Sequence, residues 1–79
     1  MGKTPLLYIM KVFINKQEVT IFEGANVGDA VLSYSKRSYK KIMDGNLIII
    51  DSFGNITEPD GKLKEGQVIR IKKKAILNK

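Results

Sequence analysis

Between Met10 and Phe22 apolar and polar residues alternate, pause at a short polar turn, and alternate again. Met10, Val12 and Ile14 fall on one side of an extended chain, with Lys11, Phe13 and Asn15 on the other; after Asn15-Lys16-Gln17, Val19 and Ile21 resume the inward set. A period of two is that of a strand with one face buried. Two such runs across a tight turn predict an antiparallel hairpin. A hairpin with one apolar face is barely stable alone, so the remaining residues must supply a layer that covers it.

The next segment supplies that layer. Asn26 stands where a helix N-cap belongs, Asp29 follows three residues on as in a capping box, and Val27, Ala30, Val31 and Tyr34 share one stripe. This predicts a helix from about residue 27 to 35, packed on the hairpin. Ser35 can cap a second short helical piece, Lys36 to Met43, whose apolar residues are Tyr39, Ile42 and Met43 and which Asp44-Gly45 closes. The unbroken run Leu47 to Ile50 predicts a strand buried on both faces. Ser52 to Asn55 then turns the chain into a short strand at Ile56-Thr57, and Pro59-Asp60-Gly61 makes another turn. In Gln67 to Lys72, Ile69 and Ile71 face inward while Val68, Arg70 and Lys72 face out. The expected fold is α+β, a mixed sheet of four or five strands covered by one main helix, over residues 10–74. Residues 1–9 either lengthen strand one or precede it, and residues 75–79 form a basic tail.

At 79 residues the chain is one domain, and a domain of this size buries only about 60 to 65% of the surface its unfolded form exposes. It offers little material for a deep cleft. With no Cys and no His, disulfides, thiolate nucleophiles, iron–sulfur ligation and the commonest general base and metal ligand are all absent. No catalytic residue, metal ligand set or cofactor site is expected, and the chain reads as a binding protein rather than an enzyme. Asp44, Asp51, Glu58 and Asp60 lie in or beside turns, where carboxylates serve backbone donors. A net charge of +6 favours anionic partners. The apolar run Leu6 to Met10 is too short for a membrane span or signal core, so the expected protein is cytoplasmic, off the membrane, and a monomer or weak dimer.

Met10 to Asn15, Val19 to Ala30 and Leu63 to Ile71, in that order, resemble the β-grasp (ubiquitin-like) superfamily, especially its sulfur-carrier, molybdopterin-carrier and TGS branches. The resemblance implies a β-grasp fold. The carriers act through a C-terminal Gly-Gly, whereas this sequence closes with Ala75-Ile76-Leu77-Asn78-Lys79, so carrier chemistry is not transferred and a degenerate sulfur carrier is the lesser alternative. Ser35 to Gly45, a strand, and Leu63 to Ile71 also resemble the RNA-binding domain shared by pseudouridine synthases, tyrosyl-tRNA synthetases and a small-subunit ribosomal protein, in which a basic helix and the following turn grip RNA phosphates.

Two candidate surfaces follow. Phe13, Phe22, Val68 and Arg70 are expected on the sheet face away from the helix or on the final strand, where an apolar patch would meet a protein partner. Lys36, Arg37, Lys40, Lys41, Arg70 and Lys72 are the alternative, a basic stripe for RNA phosphates, set against the plain reading that they are solvated surface charges.

Overall fold

The computed structural model describes residues 9–74; the expectations for 1–8 and 75–79 lie outside them. The elements run β1 (Ile9–Ile14), β2 (Gln17–Phe22), α1 (Val27–Tyr34), α2 (Lys36–Met43), β3 (Leu47–Asp51), β4 (Ile56–Thr57) and β5 (Val68–Lys73). The described residues form an α+β fold, with one five-stranded mixed sheet and two helices.

The hairpin forms as its alternation requires, and its turn is tighter than expected. Ile14 pairs with Gln17, so the turn holds only Asn15 and Lys16, and Gln17 opens β2. Both turn residues have positive φ, 51° and 72°, as a two-residue type I′ turn demands. Asn15 does more than turn the chain. Its N–H donates to the Ile69 carbonyl at 3.1 Å, its Nδ2 donates to Tyr34 Oη at 3.3 Å, and its Oδ1 accepts from the Ile71 N–H at 2.9 Å. One side chain thus ties the hairpin to the end of α1 and to β5.

The capping box at α1 is complete. Asn26 Oδ1 accepts from the Asp29 N–H at 2.7 Å, and Asp29 Oδ2 accepts from the Asn26 N–H at 3.0 Å. The Pro59–Gly61 loop takes two further N–H groups of the first turn, Val27 to the Gly61 carbonyl at 2.9 Å and Gly28 to the Pro59 carbonyl at 2.6 Å. Helix starts leave these donors without partners, so the loop both satisfies them and seats the helix. A Cβ at Gly28 would lie 3.1 Å from the Pro59 oxygen, which accounts for glycine in a helical position.

The main helix expected from about 27 to 35 ends at Tyr34, and the second helical piece expected over Lys36 to Met43 forms as an α-helix of the same length, eight residues. Ser35, at φ −163° and ψ 112°, is extended and serves as the last cap of α1 and the first of α2; its Oγ accepts from the Ser38 N–H at 3.1 Å. Continuous helix is broken there because the side chain replaces a backbone acceptor.

The strand order is β2-β1-β5-β3-β4. β5 is parallel to β1 and antiparallel to β3. This corrects the idea of an available final strand: β5 lies inside the sheet, and the edges are β2 and β4. Met10, Val12, Ile14, Val19, Ile21, Ile49 and Ile69 join Ala25, Val27, Ala30 and Val31 in the core, with Tyr34, Tyr39, Ile42, Leu63 and Ile71 packed against it. β3 is buried from both sides at its centre, as its apolar run predicts: Ile49 faces the helices and is 1% exposed, and Ile50, on the opposite face between Arg70 and Ile56, is 9% exposed. Ile48, on the same face as Ile50, is half-buried. Among the described residues no helix is long and apolar enough to cross a membrane.

Candidate functional site

Because Met10, Val12 and Ile14 face the helices, Lys11 and Phe13 face the other way, and strand register fixes what lies beside them. Phe13 is level with Val68. Arg70, next on that face of β5, is opposite Ile50, which is opposite Ile56; Lys72 is opposite Ile48. Phe13, Val68, Ile48 and Ile56 therefore lie on this open face around the buried Ile50, with Arg70 and Lys72 beside them. Val68 is 42% exposed and Ile56 65%.

Phe22 does not join this set. It is opposite Ile9 at the far end of the hairpin, and the Lys11–Thr20 pair stands between them and the Phe13–Glu18 pair. Of the four residues expected to bind protein, the structure brings together Phe13, Val68 and Arg70 and leaves Phe22 in a separate corner.

Phe53 extends the set, and sequence reasoning gave it no role. Asp51 Oδ1 accepts from the Phe53 and Asn55 N–H groups, both at 2.9 Å, and Gly54, with φ +88°, donates to the Asp51 carbonyl at 3.1 Å. This Asx-type turn presents Phe53 with 85% of its surface exposed. Phe53 and Val68 line the same hollow between the β3–β4 turn and the Lys64–Gln67 loop. An aromatic at the tip of an Asp-Ser-Phe-Gly-Asn turn was a legible signal. Ile48, half-buried, was obscured because its run reads as doubly buried.

The basic residues divide differently from expectation. Arg70 and Lys72 lie on the open face. α2 packs on α1 and β3 in the helical layer with Tyr39 and Ile42 against the core, leaving Lys36, Arg37, Lys40 and Lys41 exposed. The six do not share a surface. Instead, the Asn46 N–H donates to the Lys41 carbonyl at 2.8 Å, the Gly45 N–H to the Ile42 carbonyl at 3.0 Å, and the Lys74 N–H to the Asn46 carbonyl at 3.2 Å. The first two bonds make a Schellman motif. The third fastens the end of β5 beside it, so Lys74, and Lys73 opposite Leu47, adjoin the C-terminal end of α2.

These charges are not neutralised internally. Lys11–Glu18, at 3.4 Å, is the single ion pair among the described residues, and being exposed it contributes about 0–1 kcal/mol. Asp29, Asp51 and Glu65 accept from backbone N–H groups instead. The first turn of α2 holds no acidic residue and carries Lys36 and Arg37, where the helix dipole disfavours a cation by about 0.3–1 kcal/mol. Among the described residues no cluster of three or more His, Cys, Asp or Glu could hold a metal ion.

No family model matches this chain, and no curated protein matches it significantly.

Proposed function

We propose that this chain is a β-grasp, ubiquitin-like module without catalytic activity of its own, which binds a protein partner on the open face of its sheet. The supports for the fold are a hairpin, a capped helix and a last strand inserted beside strand one, in one mixed sheet with both helices on one face. The observation that carries the function is the apolar set Phe13, Val68, Ile48 and Ile56 on that face, with Phe53 held beside it by Asp51. Protein interfaces pair an apolar, aromatic-rich centre with a polar rim, and this rim carries Arg70 and Lys72. The partner is therefore an apolar protein surface flanked by carboxylates.

The test is photo-crosslinking from position 53, followed by titration of the purified captured protein into isotope-labelled full-length chain. Amide shifts centred on Phe13, Ile48, Ile50, Phe53, Val68 and Arg70, with at least tenfold weaker binding by Val68→Asp, are expected. Equal binding by Val68→Asp, or shifts centred on α2, would remove the reading.

A further inference from the structure

We infer that two copies of this chain pair through the outer edges of β2, antiparallel and centred on Thr20, so that their sheets join into one. The hydrogen bonds on the other side of β1 fix what that edge presents. The Phe13 and Asn15 N–H groups donate to the Gln67 and Ile69 carbonyls at 2.9 and 3.1 Å, and the Lys11 carbonyl accepts from the Gly66 N–H at 2.7 Å. Lys11, Phe13 and Asn15 therefore spend their backbone groups toward β5, and Met10, Val12 and Ile14 bond β2 through their partners Ile21, Val19 and Gln17. This leaves Glu18, Thr20 and Phe22 with backbone groups directed away from β1, where no strand of the described residues lies. The Phe22 carbonyl accepts from the Ala25 N–H at 3.1 Å as the chain leaves the strand.

The two edges of the sheet differ in what guards them. β4 is two residues long, and Pro59 follows close behind it. β2 runs six residues in unbroken register with β1 and holds no Pro, Lys or bulge, the devices that keep an edge from pairing. Its one charge, Glu18, is drawn toward β1 by Lys11 at 3.4 Å.

Facing and symmetry then set the register. Residues directly opposite each other in an antiparallel pair share a face, so the two-fold axis of a β2–β2 pair passes through a residue. Centred on Thr20, it sets Thr20 against Thr20 and Glu18 against Phe22 in both directions, which uses every outward residue, while Val19 meets Ile21 on the helix side. Centred on Val19, it would set Phe22 against Lys16, a turn residue at φ 72°. The Thr20 register also places Gln17 opposite Glu23, an amide donor opposite a carboxylate. Phe22, 52% exposed, and Ile9 beside it, 60% exposed, come against the Glu18 stem and, one strand further, Phe13 of the second copy. The corner that stands apart from the Phe13 and Val68 set is thereby covered. A strand that complements itself in this way has a second copy as its partner.

Sedimentation equilibrium of the full chain, from about 10 µM to 1 mM, tests this. The weight should rise toward twice the 8.9 kDa of one chain, and exchange of the Thr20 and Phe22 amides should slow as it does. Thr20→Lys and Thr20→Glu each set like charges opposite one another; each alone should associate at least tenfold more weakly than the parent with an unchanged urea midpoint, and an equimolar mixture of the two should pair again. Val68→Asp should dimerise as the parent does, which separates this edge from the open face. A parent that stays monomeric at the highest concentration, undiminished association of Thr20→Lys, a mixture that fails to pair, or a dimer whose amide shifts centre on Phe53 and Val68 would each overturn the inference.

Discussion

α1 and α2 are both eight residues long and share Ser35 as a cap, yet they are held by different forces. α1 buries Val27, Gly28, Ala30 and Val31, whereas α2 has no fully buried residue. The first is held by the removal of apolar surface from water. The second is held by its ends, with Ser35 at the start and the Gly45 turn at the finish, and by the partial burial of Tyr39 and Ile42. With no side chain fully buried, α2 carries a row of cations on its outer face, whereas in α1 only Leu32 and Ser33 are exposed.

This contrast is open to attack at several points. The largest effect belongs to Val31→Asp, which places an unpaired carboxylate in the core and costs more than about 4 kcal/mol; the amide spectrum should lose its dispersion. Ile42→Ala in α2 should cost only about 1 kcal/mol, because the side chain is half-exposed, and similar urea midpoints for the two would erase the distinction.

Gly45→Ala comes next. At φ +87° a Cβ costs about 1–2 kcal/mol, and hydrogen exchange should show the loss concentrated in α2 and the Asn46–Lys74 bond, with α1 amides keeping their relative protection. Uniform loss would mean that α2 does not end independently. Asn26→Ala removes one half of the capping box and should cost about 1 kcal/mol in chemical denaturation.

The smallest change has the opposite sign. Lys36→Glu/Arg37→Glu should stabilise the fold by a few tenths to about 1 kcal/mol, visible as a raised thermal midpoint at low salt that shrinks at high salt. A lowered midpoint would show that the two cations hold α2 in place.

Much of the fold was legible before the structure. The alternation of Met10 to Ile14 and Val19 to Ile21, the Asn26/Asp29 capping box and the inward pair Ile69 and Ile71 depend on residues a few positions apart. The candidate surfaces were less legible. The outward direction of Phe13, Val68 and Arg70 follows from local period, but the separation of Phe22 from Phe13 depends on the intervening Lys11–Thr20 pair. Ile48 was hidden because an apolar residue in a continuous apolar run looks the same whether it is half-buried or fully covered.

Residues close along the chain carry the elements, their caps and the facing of each side chain within its own strand or helix, because hydrogen bonds and periodicities of this kind close within a turn or two. Which elements became neighbours is a property of the closed fold. It placed β5 beside β1 through contacts such as Asn15 to Ile71, 56 residues apart. That insertion put Arg70 and Lys72 on the open face and brought Lys73 and Lys74 to the end of α2. Pairing over such distances depends on the whole sheet closing around one core, and no local stretch of residues encodes it.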